Sequence, residues 1–270
     1  MSKTILLTGA TDGIGLETAK RLVTQGYSLL VHGRNAEKLT ATMDLLSQQG
    51  GKVSIESFQA DLSRRAEVED LASRIRARHS RLDIIINNAG VYKTAGSTAV
   101  RGIDLRILVN TVAPYLLTRQ LLPLMPANAR VINLSSAAQA PVDPDTFFGE
   151  KRLADDEAYA QSKLALTMWT FHLASELGSS GPAVIAVNPA SLLATKMVKE
   201  AYGLEGNDLG IGAEILVRAS LDEEFANASG LYYDNDQRCF ADPHPQALNP
   251  EHNKHLVMAM DQFLMTNHYR

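Results

Sequence analysis

The sequence predicts an α/β fold: one open, doubly wound parallel sheet of about seven strands, with helices on both faces, in a single domain over residues 1–270. Three observations carry this. Short apolar runs alternate with amphipathic stretches from the N-terminus on. The connections between them are only a few residues long. Runs such as Ile84-Ile85-Ile86 are apolar at every position, which marks strands buried on both faces. At 270 residues the chain lies near the upper size for a single hydrophobic core.

The elements follow in order. Residues 4–8 form an apolar run of strand length, followed at once by glycines. Over 13–25, Ile14, Ala19, Leu22 and Val23 recur at helical spacing. A second strand is predicted over 27–31 and a second helix over 37–48. Residues 52–58 read as the third strand, 64–78 as a charged amphipathic helix, and 82–86 as the fourth strand. Crossovers between parallel strands are expected to be right-handed. A long helix is predicted from about 99 to 124, kinked by Pro114, which lacks an N–H and crowds the preceding turn. Then come a strand over 130–134, a helix over 157–177, a strand over 183–188 and a helix over 209–220. Residues 138–156 and 192–208 break the rhythm and are expected to be substrate-side loops, with simple insertion as the alternative. Residues 241–270 form a C-terminal extension with a helix over about 251–266.

Composition narrows the function classes. Lys+Arg total 26 against 30 Asp+Glu, for a net charge of −4, with 45% hydrophobic residues. That excludes a disordered chain, and it lacks the basic excess of a dedicated nucleic-acid binder. Cys239 is the only cysteine, so no internal disulfide is possible. No apolar run approaches the roughly 20 residues of a membrane span. The strand-like run starts by Thr4, leaving no room for a signal peptide, so the expected location is the cytoplasm.

The most informative stretch is Thr8-Gly9-Ala10-Thr11-Asp12-Gly13-Ile14-Gly15, which joins the first strand to the first helix. Gly9 permits a tight turn, Gly13 lets the backbone approach a pyrophosphate, and Gly15 lets helix and sheet pack closely. The helix N-terminus adds N–H groups and a partial positive charge. Many βα turns contain glycine for steric reasons alone, but three in the first turn of a βαβ pattern are the context that dinucleotide binding requires.

This Gly-x3-Gly-x-Gly spacing resembles the short-chain dehydrogenase/reductase family, in its single-domain branch, and implies a Rossmann-type sheet. Further motifs match in family order. Asp61-Leu62 stands where the family's acid meets the adenine amine, although Asp61 or Ser63 could equally be an ordinary helix N-cap. Asn87-Asn88-Ala89-Gly90 ends the fourth strand, and its small residues let backbone pass close to a cofactor. The cofactor set that the resemblance implies is Gly9, Thr11, Asp12, Gly13, Ile14, Gly15, Arg34, Asp61, Leu62, Asn88, Ala89, Gly90, Tyr159, Lys163, Pro189 and Thr195. Asn188-Pro189-Ala190 stands where the family has Pro-Gly. If that position needs a positive φ, Ala190 is strained.

An NAD site places an acid about 20 residues beyond the glycine turn. Here the chain reads His32-Gly33-Arg34-Asn35. Arg34 could clamp a 2′-phosphate, with Lys38 assisting, so NADP is preferred and NAD remains possible. Asp12 cuts the other way, since NADP-dependent members often carry a basic residue in the glycine turn.

Tyr159 and Lys163 stand at i and i+4, on one helix face. A free tyrosine titrates near pH 10 and is a poor base at neutral pH. A neighbouring ammonium and an oxidised nicotinamide ring both favour the phenolate, and a drop of about 3 pKa units takes about 4 kcal/mol of differential interaction. The resemblance makes Tyr159 the acid/base and Lys163 its tuner. It makes Ser136, chosen over Ser135, the group that polarises the substrate oxygen, and Asn110 the support of a proton relay. The 23-residue gap from Ser136 to Tyr159, with Phe147-Phe148-Gly149 inside it, looks like the retinol-dehydrogenase-like members and their bacterial relatives.

The expected activity is hydride transfer between a carbonyl and an alcohol. The alternatives are an NADP-binding regulator without turnover and a nucleotide-sugar epimerase or dehydratase. No histidine cluster has zinc spacing with a third ligand, so no metal is expected. The expected partner is a small carbonyl or alcohol, with Tyr92, Phe147, Phe148, Met197 and Tyr202 as candidates either for an apolar pocket or for loop packing. The resemblance also implies a homodimer or homotetramer.

Overall fold

The computed structural model describes residues 2–49, 53–92, 99–100, 102–143, 153–191, 193–194 and 206–266. Six parallel strands form the body of the sheet: β1 (Thr4–Leu7), β2 (Ser28–Gly33), β3 (Ile55–Gln59), β4 (Ile84–Asn87), and, past a small hairpin of β5 (Ala99–Val100) and β6 (Ile103–Asp104), β7 (Arg130–Leu134) and β8 (Ala183–Asn188). β9 (Tyr232–Asp234) continues the sheet in parallel and β10 (Cys239–Ala241) closes it antiparallel. The strand order is β10-β9-β8-β7-β4-β1-β2-β3. The direction of winding reverses between β1 and β4, where Leu7 stands opposite Ile86. Open α/β sheets bind ligands at such a switch point.

Side-chain alternation sorts the core into two layers. Leu6 and Ile85 point into one, while Ile5, Leu7, Ile84 and Ile86 point into the other. The first layer is covered by α3 (Arg65–Arg78), a composite rod, α6 (Asp155–Leu177) and α8 (Pro250–Met265). The second is covered by α1 (Gly13–Thr24), α2 (Ala36–Gln49) and α7 (Leu209–Leu221). The rod consists of α4 (Leu105–Ile107), a π-helical turn (Leu108–Val112) and α5 (Ala113–Leu121). On α6, Leu164, Trp169 and Leu173 are fully buried within the chain itself. No helix among the described residues is long and apolar enough to cross a membrane.

The structure corrects the reading at three places. Among the described residues the sheet has eight strands rather than about seven. The last two are only three residues each, too short to give a periodic signal. The helix expected over 99–124 is a hairpin followed by the rod. Gly102 turns the hairpin at φ +86, and Asp104 then caps the helix by accepting from the Arg106 amide. Neither Asp61 nor Ser63 caps α3: its N-cap is Arg64, which makes no side-chain cap bond. The expected kink at Pro114 takes the form of the π-helical turn just before it, where the Ala113 amide reaches back to the Leu108 carbonyl. In α-helical register residue 114 would donate to Asn110, and proline has nothing to donate.

Candidate active site

The glycine turn leaves β1 at its C-terminal end. Gly9 and Gly13 have φ of +66 and +53, which glycine adopts without strain. A Cβ on Gly15 would fall 2.2 Å from the Gly9 carbonyl oxygen, and one on Gly9 would fall 2.8 Å from the Ala89 Cα. The turn and the Asn88-Ala89 segment thus lie backbone against backbone. Hydrogen bonds hold them there. The Thr8 hydroxyl accepts from the Asn88 and Ala89 amides, both at 3.1 Å. The Asn88 side chain donates to the carbonyls of Thr8 (2.9 Å) and Gly9 (3.0 Å). This is a chain geometry suited to a pyrophosphate at the N-terminus of α1, with Ile14 and Gly15 in the first turn.

His32 ties in a third segment. Its Nδ1 accepts from the Gly9 amide at 3.3 Å and its Nε2 faces the Ala60 carbonyl at 3.0 Å. These partners require the neutral ring with the proton on Nε2. Burial pushes its pKa down to about 4, so the ring stays neutral at physiological pH. Just beyond β3, Asp61 accepts from the amide and hydroxyl of Ser63, and Leu62 is buried. Arg34, at the end of β2, is exposed, while Asp12 caps α1 and pairs with Lys38 at 2.7 Å. The negative charge that counted against a 2′-phosphate is therefore met by a lysine.

Across the switch point, the Lys163 ammonium is buried and donates to the Leu134 carbonyl at 2.6 Å. It lies 5.7 Å from the centroid of the Tyr159 ring. Burial pulls its pKa down to about 8, which still leaves it protonated at neutral pH. A Cβ on Gly90 would lie 3.6 Å from this nitrogen and 3.4 Å from Asn110 Oδ1, so Gly90, Asn110 and Lys163 meet. The Tyr159 ring is half-buried and takes the Tyr92 ring edge-on, with centroids 4.9 Å apart. Asn110 sits in the π-helical turn, with Oδ1 accepting from the Val91 amide and Nδ2 donating to the Val91 carbonyl and the Ser162 hydroxyl.

The two serines after β7 differ in placement. Ser135 is buried and bonded to Thr167, whereas Ser136 is half-buried and accepts from the Ala138 amide. A hydroxyl that accepts there directs its own proton elsewhere, so Ser136 keeps a donor to offer. Tyr92 proves to be a buried packing partner of Tyr159. Thr195, Phe147, Phe148, Met197 and Tyr202 lie outside the described residues.

Pro189-Ala190 follows β8 with Ala190 at φ +112, as the missing glycine implied. The strain is held by a polar clamp from the β9–β10 turn. Asn188 donates to Asp234 (2.8 Å) and Asp236 (2.9 Å), the Ser191 amide and hydroxyl donate to Asp236, and Asn235 donates to the Pro189 carbonyl. Ala190→Gly is expected to raise unfolding stability by about 1 kcal/mol, the relieved strain outweighing the added chain entropy. Urea denaturation checks this, and a destabilised variant would show that Ala190 is unstrained.

His32, Arg106, Ser162 and Asp236 were not singled out in the sequence. The one available signal was a histidine in the apolar β2 run.

A family model described as short chain dehydrogenase matches residues 3–203. Human retinol dehydrogenase 13 is 31% identical over 253 residues, covering 86% of this chain and 76% of that protein. The Pseudomonas aeruginosa RhlG/NADP active-site complex is 25% identical, with a TM-score of 0.70 over 86% of this chain and 94% of its own. A crystal structure from Mycobacterium paratuberculosis superposes with a TM-score of 0.81 at 23% identity, over 98% of this chain and 94% of its own, and speaks for the fold alone.

Proposed function

The chain belongs to the short-chain dehydrogenase/reductase family and is an oxidoreductase of that kind; from there we propose that it interconverts a carbonyl and an alcohol, using NADP, with Tyr159 as acid/base. The observation that carries this is the buried Lys163 ammonium 5.7 Å from the Tyr159 ring centroid, beside Gly90 at the sheet's switch point. The chain's residues fit a dinucleotide, because the turn at Gly9 and Gly15 has no space for a Cβ and Thr8 and Asn88 tie it to the segment after β4. The nicotinamide ring, when bound, supplies or accepts the hydride.

The protein's own groups handle the proton. In oxidation the Tyr159 phenolate takes the proton of the alcohol; in reduction the phenol returns it to the carbonyl oxygen. Lys163 stabilises the phenolate by its charge and binds the nicotinamide ribose. Ser136 donates a hydrogen bond to the substrate oxygen. Pro114 leaves the Asn110 main-chain carbonyl without its α-helical partner, and that carbonyl holds a water through which Lys163 exchanges its proton. Arg34 engages the 2′-phosphate, and Lys38 can leave its exposed pairing with Asp12 cheaply, since such pairs are worth about 0–1 kcal/mol. The name of the human relative points to an apolar alcohol as substrate.

A screen of aldehydes, ketones and alcohols, read by absorbance of the reduced nicotinamide, tests the activity. Nucleotide binding without turnover on any of them would make the protein a regulator instead. Arg34→Ala is expected to weaken NADPH binding about 10- to 100-fold, the loss of one charge-assisted phosphate contact, while leaving NADH binding nearly unchanged. Equal binding of NADPH before and after would remove the NADP assignment.

A further inference from the structure

We propose that Arg106 is a positioning residue for the reaction: with Asn110, four residues on, it staples the helix bearing Tyr159 to the segment after Gly90 on both sides of the tyrosine. This rests on the reading of Tyr159 as acid/base.

The Arg106 side chain is 1% exposed. Its Nε and Nη2 donate to the two carboxylate oxygens of Asp104, at 2.8 and 2.6 Å. Its Nη1 donates to Asp155 Oδ1 at 2.5 Å, and to the Asp155 and Tyr92 carbonyls at 3.2 Å each. Asn110 repeats the pattern one turn along the rod, gripping Val91 at 2.8 and 2.9 Å and Ser162 at 3.0 Å. Residues 91 and 92 are thus held by two side chains of one rod. On α6 the same two side chains hold Asp155, four residues before Tyr159, and Ser162, three after it. Ser162 in turn donates to the Tyr159 carbonyl at 2.7 Å. The Tyr92 ring, carried by the stapled segment, packs edge-on against Tyr159 at 4.9 Å.

An arginine here is otherwise hard to account for. Its neighbours Ile107 and Leu108 are buried, and a methionine would fill the space without burying a charge. Burial works against the guanidinium, and the hydrogen bonds to Asp104 and Asp155 more than offset it. A planar fork can reach acceptors on three separate segments at once, which neither lysine nor an apolar side chain can do.

The test uses the full-length protein with NADP+ and no substrate. Tyrosinate absorbance is titrated in the wild type, Arg106→Met, Arg106→Lys and Tyr92→Leu, with Tyr159→Phe identifying the Tyr159 signal. Turnover is measured alongside on the carbonyl that the wild type reduces best. Arg106→Met is expected to lower the ionised fraction of Tyr159 near neutral pH about 10-fold and kcat about 10²-fold, the scale of a 1 Å misplacement. NADPH affinity should stay within about twofold, and Arg106→Lys should recover part of both losses. If Arg106→Met does not fold, Tyr92→Leu, which leaves the arginine's bonds intact, is expected to show the same split at smaller size. Unchanged kcat and titration in every folded variant would overturn the proposal. A Tyr159 signal that is absent even in the wild type would instead overturn the acid/base reading beneath it.

Discussion

Tyr159→Phe is expected to lower turnover by at least about 10²–10⁴-fold while leaving NADPH affinity within about twofold. The substitution removes one oxygen and leaves the rest of the side chain in place. The ring stays, and with it the edge-on contact to Tyr92 at 4.9 Å and the ammonium 5.7 Å from the ring centroid. The cradle at Gly9, Gly15 and Asn88 is built from other segments and does not depend on the hydroxyl. The variant therefore separates proton transfer from cofactor binding. Steady-state kinetics and fluorescence titration with NADPH read the two effects. Undiminished turnover would rule out the mechanism, and a parallel loss of NADPH affinity would place the hydroxyl in the cradle instead.

The sequence carried those parts of the candidate site whose signal is local. Gly9, Gly13 and Gly15 announce themselves because the backbone path itself demands glycine. Tyr159 and Lys163 do so because a single helix spaces them. Both are confined to one turn or one element, as is the run Asn87–Gly90. What stayed hidden depends on chain segments meeting from a distance. Arg106 gains its meaning from Tyr92 and Asp155, and His32 from Gly9 and Ala60. Asp236 gains its meaning from Asn188 and Ser191. In each case a polar side chain lies on an otherwise ordinary element, and only its partners distinguish it. The helix expected over 99–124 failed for a related reason. Its hydrophobic spacing was compatible with a helix throughout, while the hairpin that replaces its start is set by Gly102 and by the Asp104 cap. The same carboxylate also anchors Arg106, so the feature that ends the hairpin begins the network around Tyr159.

Lys163→Met is expected to abolish measurable turnover and, at the same time, to stabilise the cofactor-free protein at neutral pH. The ammonium is buried, and its pKa is pulled from 10.5 down to about 8. Below pH 8 the lysine is charged in both the folded and unfolded states, and the folded state carries the whole desolvation penalty. A gap of that size corresponds to about 3 kcal/mol. Methionine fills similar volume without the charge but gives up the bond to the Leu134 carbonyl, worth about 1 kcal/mol. The net gain at pH 7 is therefore about 2 kcal/mol. As pH rises from about 8 to 10.5, the folded wild type has already shed the proton that the unfolded chain still holds, so wild-type stability climbs relative to the variant and the advantage of methionine disappears. Urea denaturation of both proteins at pH 7 and pH 10 measures this directly. A variant less stable than the wild type at pH 7, or a difference that does not shrink with pH, would show that the buried ammonium is compensated inside the fold. The predicted combination, a more stable protein with no activity, is what separates a charge kept for chemistry from one kept for folding.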